Sequence, residues 1–179
     1  MPANDDELRQ RLVDELHRIE EDALFSSKGH FNASQRWKTA NSWLGIPTAI
    51  MSGLAGASAL SQFDHHNVVA GALALLVGAI TAVVTFLNPS EQSATHRGFG
   101  NRFNALKNKC RLAAQLDGVQ LSTTELRQTV IELSTERDQL NEDSPGISRA
   151  AFERARKGIE EGEADYRVDR RGPGNGADS

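Results

Sequence analysis

The sequence predicts an all-α membrane protein, built as a two-helix transmembrane hairpin with flanking cytosolic helices. Three observations predict it. Two apolar segments, residues 39–60 and 68–87, are joined by the short polar run Ser61-Gln62-Phe63-Asp64-His65-His66-Asn67. Between Lys38 and Glu91 the sole acidic or basic side chain is Asp64, which lies in that connection. No stretch carries the alternation of a strand. At about 1.5 Å of rise per residue, helices of about 20 residues reach about 30 Å, the thickness of bilayer hydrocarbon. Lipid offers backbone polar groups no partners, so spanning segments satisfy them internally, as helices.

Two other readings of the hairpin differ in kind. Core helices of a soluble α-protein carry a polar face, whereas residues 68–87 offer only Thr81 and Thr85 against Val, Ala, Leu, Ile, Phe and Gly. A hairpin that inserts only on activation is the other, because Asn41, Pro47, Ser52 and many Gly and Ala dilute the first segment. Large apolar residues contribute only about −0.3 to −0.6 kcal/mol each at a helix centre. The second segment therefore drives insertion and the first follows as its partner.

Composition sets bounds. The 179 residues carry a formal charge of −4, which argues against a dedicated nucleic-acid binder. Cys110 is alone, so an intrachain disulfide and a cysteine zinc cluster are excluded, in keeping with a reducing cytosol. The acidic start, Asp5-Asp6-Glu7, has no signal-peptide character, so the hairpin itself is expected to be the insertion signal. Arg36 and Lys38 precede the first span and Arg97 and Arg102 follow the second, with no Lys or Arg between. These four are the expected membrane-surface cations. The positive-inside rule then predicts a multi-pass protein of the inner (plasma) membrane with both termini cytoplasmic. Trp37 and Trp43 lie near the inner boundary, where indole rings favour the headgroup layer.

The expected order is a cytosolic arm (1–38), the hairpin (39–87), a cytosolic helical bundle (88–167) and a disordered tail (168–179) with Gly-Pro-Gly-Asn-Gly composition. In the arm, Leu8, Leu12, Leu16, Ile19 and Ala23 recur at three- and four-residue spacing, an apolar stripe suited to packing on the other cytosolic helices. Ser26-Ser27-Lys28-Gly29 either interrupts this helix or is absorbed into one that runs on toward Trp37. In the spans, Gly45, Ala49, Gly53 and Ala57, then Ala70, Ala74, Gly78 and Ala82, place a small residue at every fourth position. Such stripes let a neighbouring backbone approach closely. They zip the hairpin to itself, pack separate copies together, or both. Pro47 removes a backbone donor and is a candidate kink. Thr48, Ser52, Thr81 and Thr85, with Ser58, are the hydroxyls at depth, which line a weakly polar pore or bond back to their own helices.

Asn88-Pro89-Ser90-Glu91 reads as a helix start, and Phe99, Phe103, Leu106, Cys110 and Ala113 share one side of the helix that follows. Asp117-Gly118 is its expected stop. Ser122-Thr123-Thr124-Glu125 is a capping box. Leu126, Val130, Leu133, Arg137 and Leu140 then form a seam flawed at Arg137. After a break at Asn141–Gly146, a last helix capped by Ser148 is expected to bury Phe152, Ala155, Ile159 and Tyr166. No catalytic constellation, cofactor motif or metal cluster stands out. His65-His66 are adjacent and point differently, and His30 and His96 lack a companion carboxylate pair or nucleophile.

Several of these features coincide in one pattern. The run Asp22-Ala23-Leu24-Phe25-Ser26-Ser27-Lys28-Gly29-His30-Phe31, then Arg36-Trp37, then Leu44-Gly45-Ile46-Pro47 entering a small-residue span, resembles the SLATT family of two-transmembrane effector domains. Asn88-Pro89, His96, Phe103-x-x-Leu106 and Arg111 fit the same family. The likeness covers about residues 15–140. It implies a membrane effector of prokaryotic, anti-phage defence, one that forms a pore or disrupts the membrane to stop an infected cell. The partners it implies are the bilayer, further copies of the chain, and a separate nucleotide-signal synthase or sensor, unless the cytosolic helices receive the signal themselves. A passive membrane-anchored scaffold that recruits a partner protein is the alternative, and membrane leakage separates the two.

Overall fold

The computed structural model describes residues 2–61 and 65–165, and among them every regular element is helical. The order is α1 (Pro2–Leu60), α2 (His66–Leu87), α3 (Pro89–Leu112), a π-helical turn (Ala113–Asp117), α4 (Gly118–Gln120), α5 (Thr123–Asp143) and α6 (Arg149–Glu160). Residues 62–64 of the hairpin connection, Tyr166 and the expected disordered tail lie outside the described residues.

The first outcome concerns Ser26–Gly29. These residues are absorbed, so α1 is a single helix of 59 residues, continuous also through Pro47. Neighbours help hold the weak former Gly29 in place: a Cβ there would lie 2.9 Å from Ile147 Cδ1, so the missing side chain lets Ile147 close over the helix. At the far end of the hairpin, Asn88 has two duties. Its left-handed backbone (φ 42°) ends α2 with an N–H bond to the Val84 carbonyl, and its side-chain oxygen accepts from the Glu91 N–H that opens α3.

The chain divides into two compact units, residues 1–32 with 98–179, and residues 33–97. The first is built around Leu16, Ile19 and Ala23 of α1, Phe103, Leu106 and Cys110 of α3, and Leu126, Val130, Leu133 and Leu140 of α5, all buried. The arm's stripe from Leu12 to Ala23 therefore packs on the helices that follow the hairpin, while Leu8 at its start is exposed. Fully burying a side chain such as Leu or Ile stabilises by about 1.5–3 kcal/mol, which makes this three-helix contact the main source of cohesion in the unit. Ser122 caps α5 in the expected box: its Oγ accepts from the Glu125 N–H, and the Glu125 carboxylate accepts from the Ser122 N–H at 2.9 Å.

Three expectations are corrected. Gly118 does not stop α3; it has right-handed helical backbone, and the helical path continues through the π turn to Gln120. The reason for a glycine is space, since a Cβ would come within 3.1 Å of Val13 Cγ2, and the Arg9 guanidinium donates to the Gly118 and Leu121 carbonyls beside it. The last helix ends at Glu160, not near residue 166. Its buried face is Ala151, Ala155 and Gly158, while Phe152 stays half exposed against Phe25, with ring centroids 6.3 Å apart.

Candidate functional site

The second unit, residues 33–97, holds the hairpin. Both helices are long and apolar enough to cross a membrane, and none of the most apolar 18-residue window in either is buried. The 22 residues of α2 rise about 33 Å, enough for the hydrocarbon layer. A core helix of a soluble protein would be covered; here Ile46, Ile50, Leu54, Val68, Leu75, Val83 and Phe86 all face outward. Apolar surface this extensive is stable only against another apolar phase.

Partial shielding recurs along α1 at Asn41, Leu44, Thr48, Met51, Ala55 and Ser58, and along α2 at His66, Ala70, Leu73, Val77, Ile80 and Val84. The alternating three- and four-residue steps mark the faces that the two helices turn toward each other. This seam runs beside the small-residue stripes, not along them. Gly45, Ala49, Gly53 and Ala57 of α1 are exposed, as are Ala74, Gly78 and Ala82 of α2; Ala70 alone of the eight falls on the seam. A Cβ built at Gly45, Gly53 or Gly78 meets no heavy atom within 4 Å, and the same holds for Gly56 and Gly71. Close packing among the described residues therefore does not require these glycines.

The hydroxyls behave in two ways. Thr48 Oγ1 donates to the Leu44 carbonyl at 2.6 Å and Ser52 Oγ to the Thr48 carbonyl at 2.8 Å, each one turn back along its own helix. Thr48 sits on the seam, whereas Ser52, Thr81 and Thr85 are on exposed faces. At the base of this unit Ser93 Oγ donates to the Ser34 carbonyl at 3.0 Å, tying α3 to α1. His96 is buried there, and burial lowers its pKa from the ordinary imidazole value. Arg36, Lys38 and Arg97 are exposed. Arg102, in the other unit, lies over the Phe99 ring at 5.1 Å and 3.9 Å from the Asp143 carboxylate.

His30 also belongs to that other unit. It is 1% exposed, stacked on Phe103 (5.5 Å between centroids) and tilted against Phe99 (5.8 Å). Among the described residues no three His, Cys, Asp or Glu side chains are grouped to hold a metal ion. Sequence reasoning missed the seam residues Met51, Ala55, Leu73, Val77 and Ile80. Their three-four phase is present in the sequence, but an all-apolar helix has no polar face to say which phase points inward.

Comparison with known proteins places the chain. No curated protein and no solved structure gives a significant match. The family model for the SMODS and SLOG-associating 2TM effector domain family 4 matches residues 12–170, from the first buried turns of α1 past the end of α6. With nearly its whole length covered, the chain belongs to that family, and its bare apolar hairpin is that of a membrane effector of defence-associated systems.

Proposed function

We propose that the protein assembles in the inner membrane through the outward small-residue faces of its hairpins and, when triggered from the cytosol, opens a pore or disrupts the bilayer. It acts by packing, not by catalysis. Both termini are placed in the cytoplasm, because the cations flanking the hairpin have no counterpart between the spans. The trigger comes from a separate nucleotide-signal synthase or sensor, as the family resemblance implies, and is received by the cytosolic helices.

One observation carries the reading: seven of the eight small residues are exposed beside a seam that does not need them. Two helices cannot enclose a channel, so a pore takes several copies, and small residues are what lets helices meet closely in lipid. Open space at Gly53 and Gly78 makes the test clean, since a Cβ at either position meets no heavy atom within 4 Å among the described residues. Gly53→Leu and Gly78→Leu are expected to insert normally while losing cross-linkable oligomers and dye leakage on induced expression. Oligomers and leakage equal to the parent in both variants would overturn the proposal. A tight membrane in cells expressing and triggering the parent chain would favour the scaffold.

A further inference from the structure

One face of α1 is clamped by a single later segment, residues 147–163. Phe25, Lys28, Gly29 and Asn32 stand at i, i+3, i+4 and i+7, so they share that face. The Phe25 ring stacks on Phe152, and Lys28 Nζ donates to the Glu163 carboxylate at 2.9 Å. Ile147 closes over Gly29, and Asn32 Nδ2 donates to the Ala151 carbonyl at 3.4 Å. Gly162, with φ 81°, turns the chain back so that Glu163 crosses Gly158, where a Cβ would collide with its carboxylate.

The stretch beneath the clamp is a poor helix former. Ser26, Ser27 and Gly29 each disfavour a helix interior. Ser27 Oγ also bonds back to the Leu24 carbonyl at 2.9 Å, an arrangement that often bends helices. Helices kink where Gly and Ser come together, yet α1 runs on through this stretch into the first span. The clamp itself is lightly seated. The buried cluster of the unit is drawn from α1, α3, the π turn and α5, with no member in α6. The buried face of α6 is Ala151, Ala155 and Gly158, small residues that remove little apolar area from water.

We propose that α6 is a detachable splint for α1. Docked, it keeps Ser26–Gly29 helical; undocked, it leaves that stretch free to break and act as a hinge. Its contacts fall where α1 is weakest, and they come from a helix the core can release. The helical path from Leu16, Ile19 and Ala23 onward into the span therefore depends on α6 being seated. This device goes beyond the effector reading, and its test reads local helix opening, not leakage.

The test is native-state hydrogen exchange on the full chain in nanodiscs holding one copy each. Ala155→Leu crowds the buried face of α6, and Glu163→Gln, at a side chain 65% exposed, removes the charge opposite Lys28. Ala155→Leu is expected to speed exchange by about tenfold or more in α6 and at the amides of residues 29–32. Glu163→Gln is expected to speed both by about two- to fivefold, the worth of one partly exposed ion pair. The slowest amides of α5 are expected to stay unchanged in both variants. Adding Ser26→Ala and Gly29→Ala to Ala155→Leu raises helix propensity, and is expected to slow residues 29–32 again by about fivefold or more while α6 stays fast. Parent-like exchange at residues 29–32 while α6 opens would show that the stretch is helical by itself, and would overturn the proposal. So would unchanged α6 exchange in both single variants, acceleration of α5 along with α6, or no recovery in the triple variant.

Discussion

Truncating one leucine in each unit separates protein packing from lipid exposure. Leu106 is 0% exposed in the core of the first unit, whereas Leu75 on α2 is 79% exposed. Leu106→Ala removes three carbons from a closed site and leaves a cavity, which costs about 3–5 kcal/mol. Leu75→Ala leaves none, because lipid flows into the space; the loss is the difference in transfer to hydrocarbon, about half a kcal/mol. Native-state hydrogen exchange on the full chain in nanodiscs reads both. At about 1.4 kcal/mol per decade, Leu106→Ala is expected to speed the slowest amides of α5 by about a hundredfold or more. Leu75→Ala is expected to change exchange in α2 and α5 by about threefold at most. With one copy per nanodisc, a hundredfold effect of Leu75→Ala would show that α2 is packed within its own chain, and the membrane reading of the hairpin would fail. Unchanged exchange in α5 after Leu106→Ala would show that the buried cluster is not a cooperative core.

Further outcomes are expected at the α5 cap and at Cys110. Ser122→Ala removes the α5 cap and should cost about 1 kcal/mol, seen as earlier melting of the first unit. Hydrogen bonds from the Ser122 hydroxyl and backbone hold the Glu125 carboxyl below its ordinary range, so the box is intact above that range and fails as the pH falls through the lowered value; melts from pH 7 down to 3 check the direction. Burial, with Glu20 and Glu136 nearby, pushes the Cys110 thiol from 9.0 up to about 12. The folded chain should therefore resist maleimide at pH 8 and react once unfolded, and its stability should decline as the pH climbs from 9 toward 12. Prompt labelling of the native protein would refute the packing around Cys110.

Much of this fold was legible because the deciding physics is local. Charge-free stretches announce the hairpin, Leu16, Ile19 and Ala23 share a face by spacing alone, and the Ser122 box is closed by residues three apart. Where distant residues decide, the sequence is silent. Gly29 stays helical under Ile147, and Gly118 is a glycine because Val13 crosses it, neither of which propensity reveals. Within α5 alone Arg137 reads as an error in a seam, yet its guanidinium stands 3.7 Å from the Asp22 carboxylate of α1, more than a hundred residues away. The small-residue stripes were visible, but their outward aim was not, because every face of an apolar helix looks alike until its neighbour is placed.

The bare glycines of the hairpin have a consequence for the solvent they meet. Notches beside Gly45, Gly53 and Gly78 do not stay empty in a membrane; fatty tails occupy them whenever a neighbouring chain does not. Under the assembly proposed above, association is an exchange in which tails are released, and its strength depends on how well those tails fitted. Stiff, ordered acyl chains fill narrow notches badly and should push copies together, while short or kinked ones should keep them apart. In the proposed assembly, the lipid mixture of the host thus becomes a setting of how readily copies meet, written into three missing side chains.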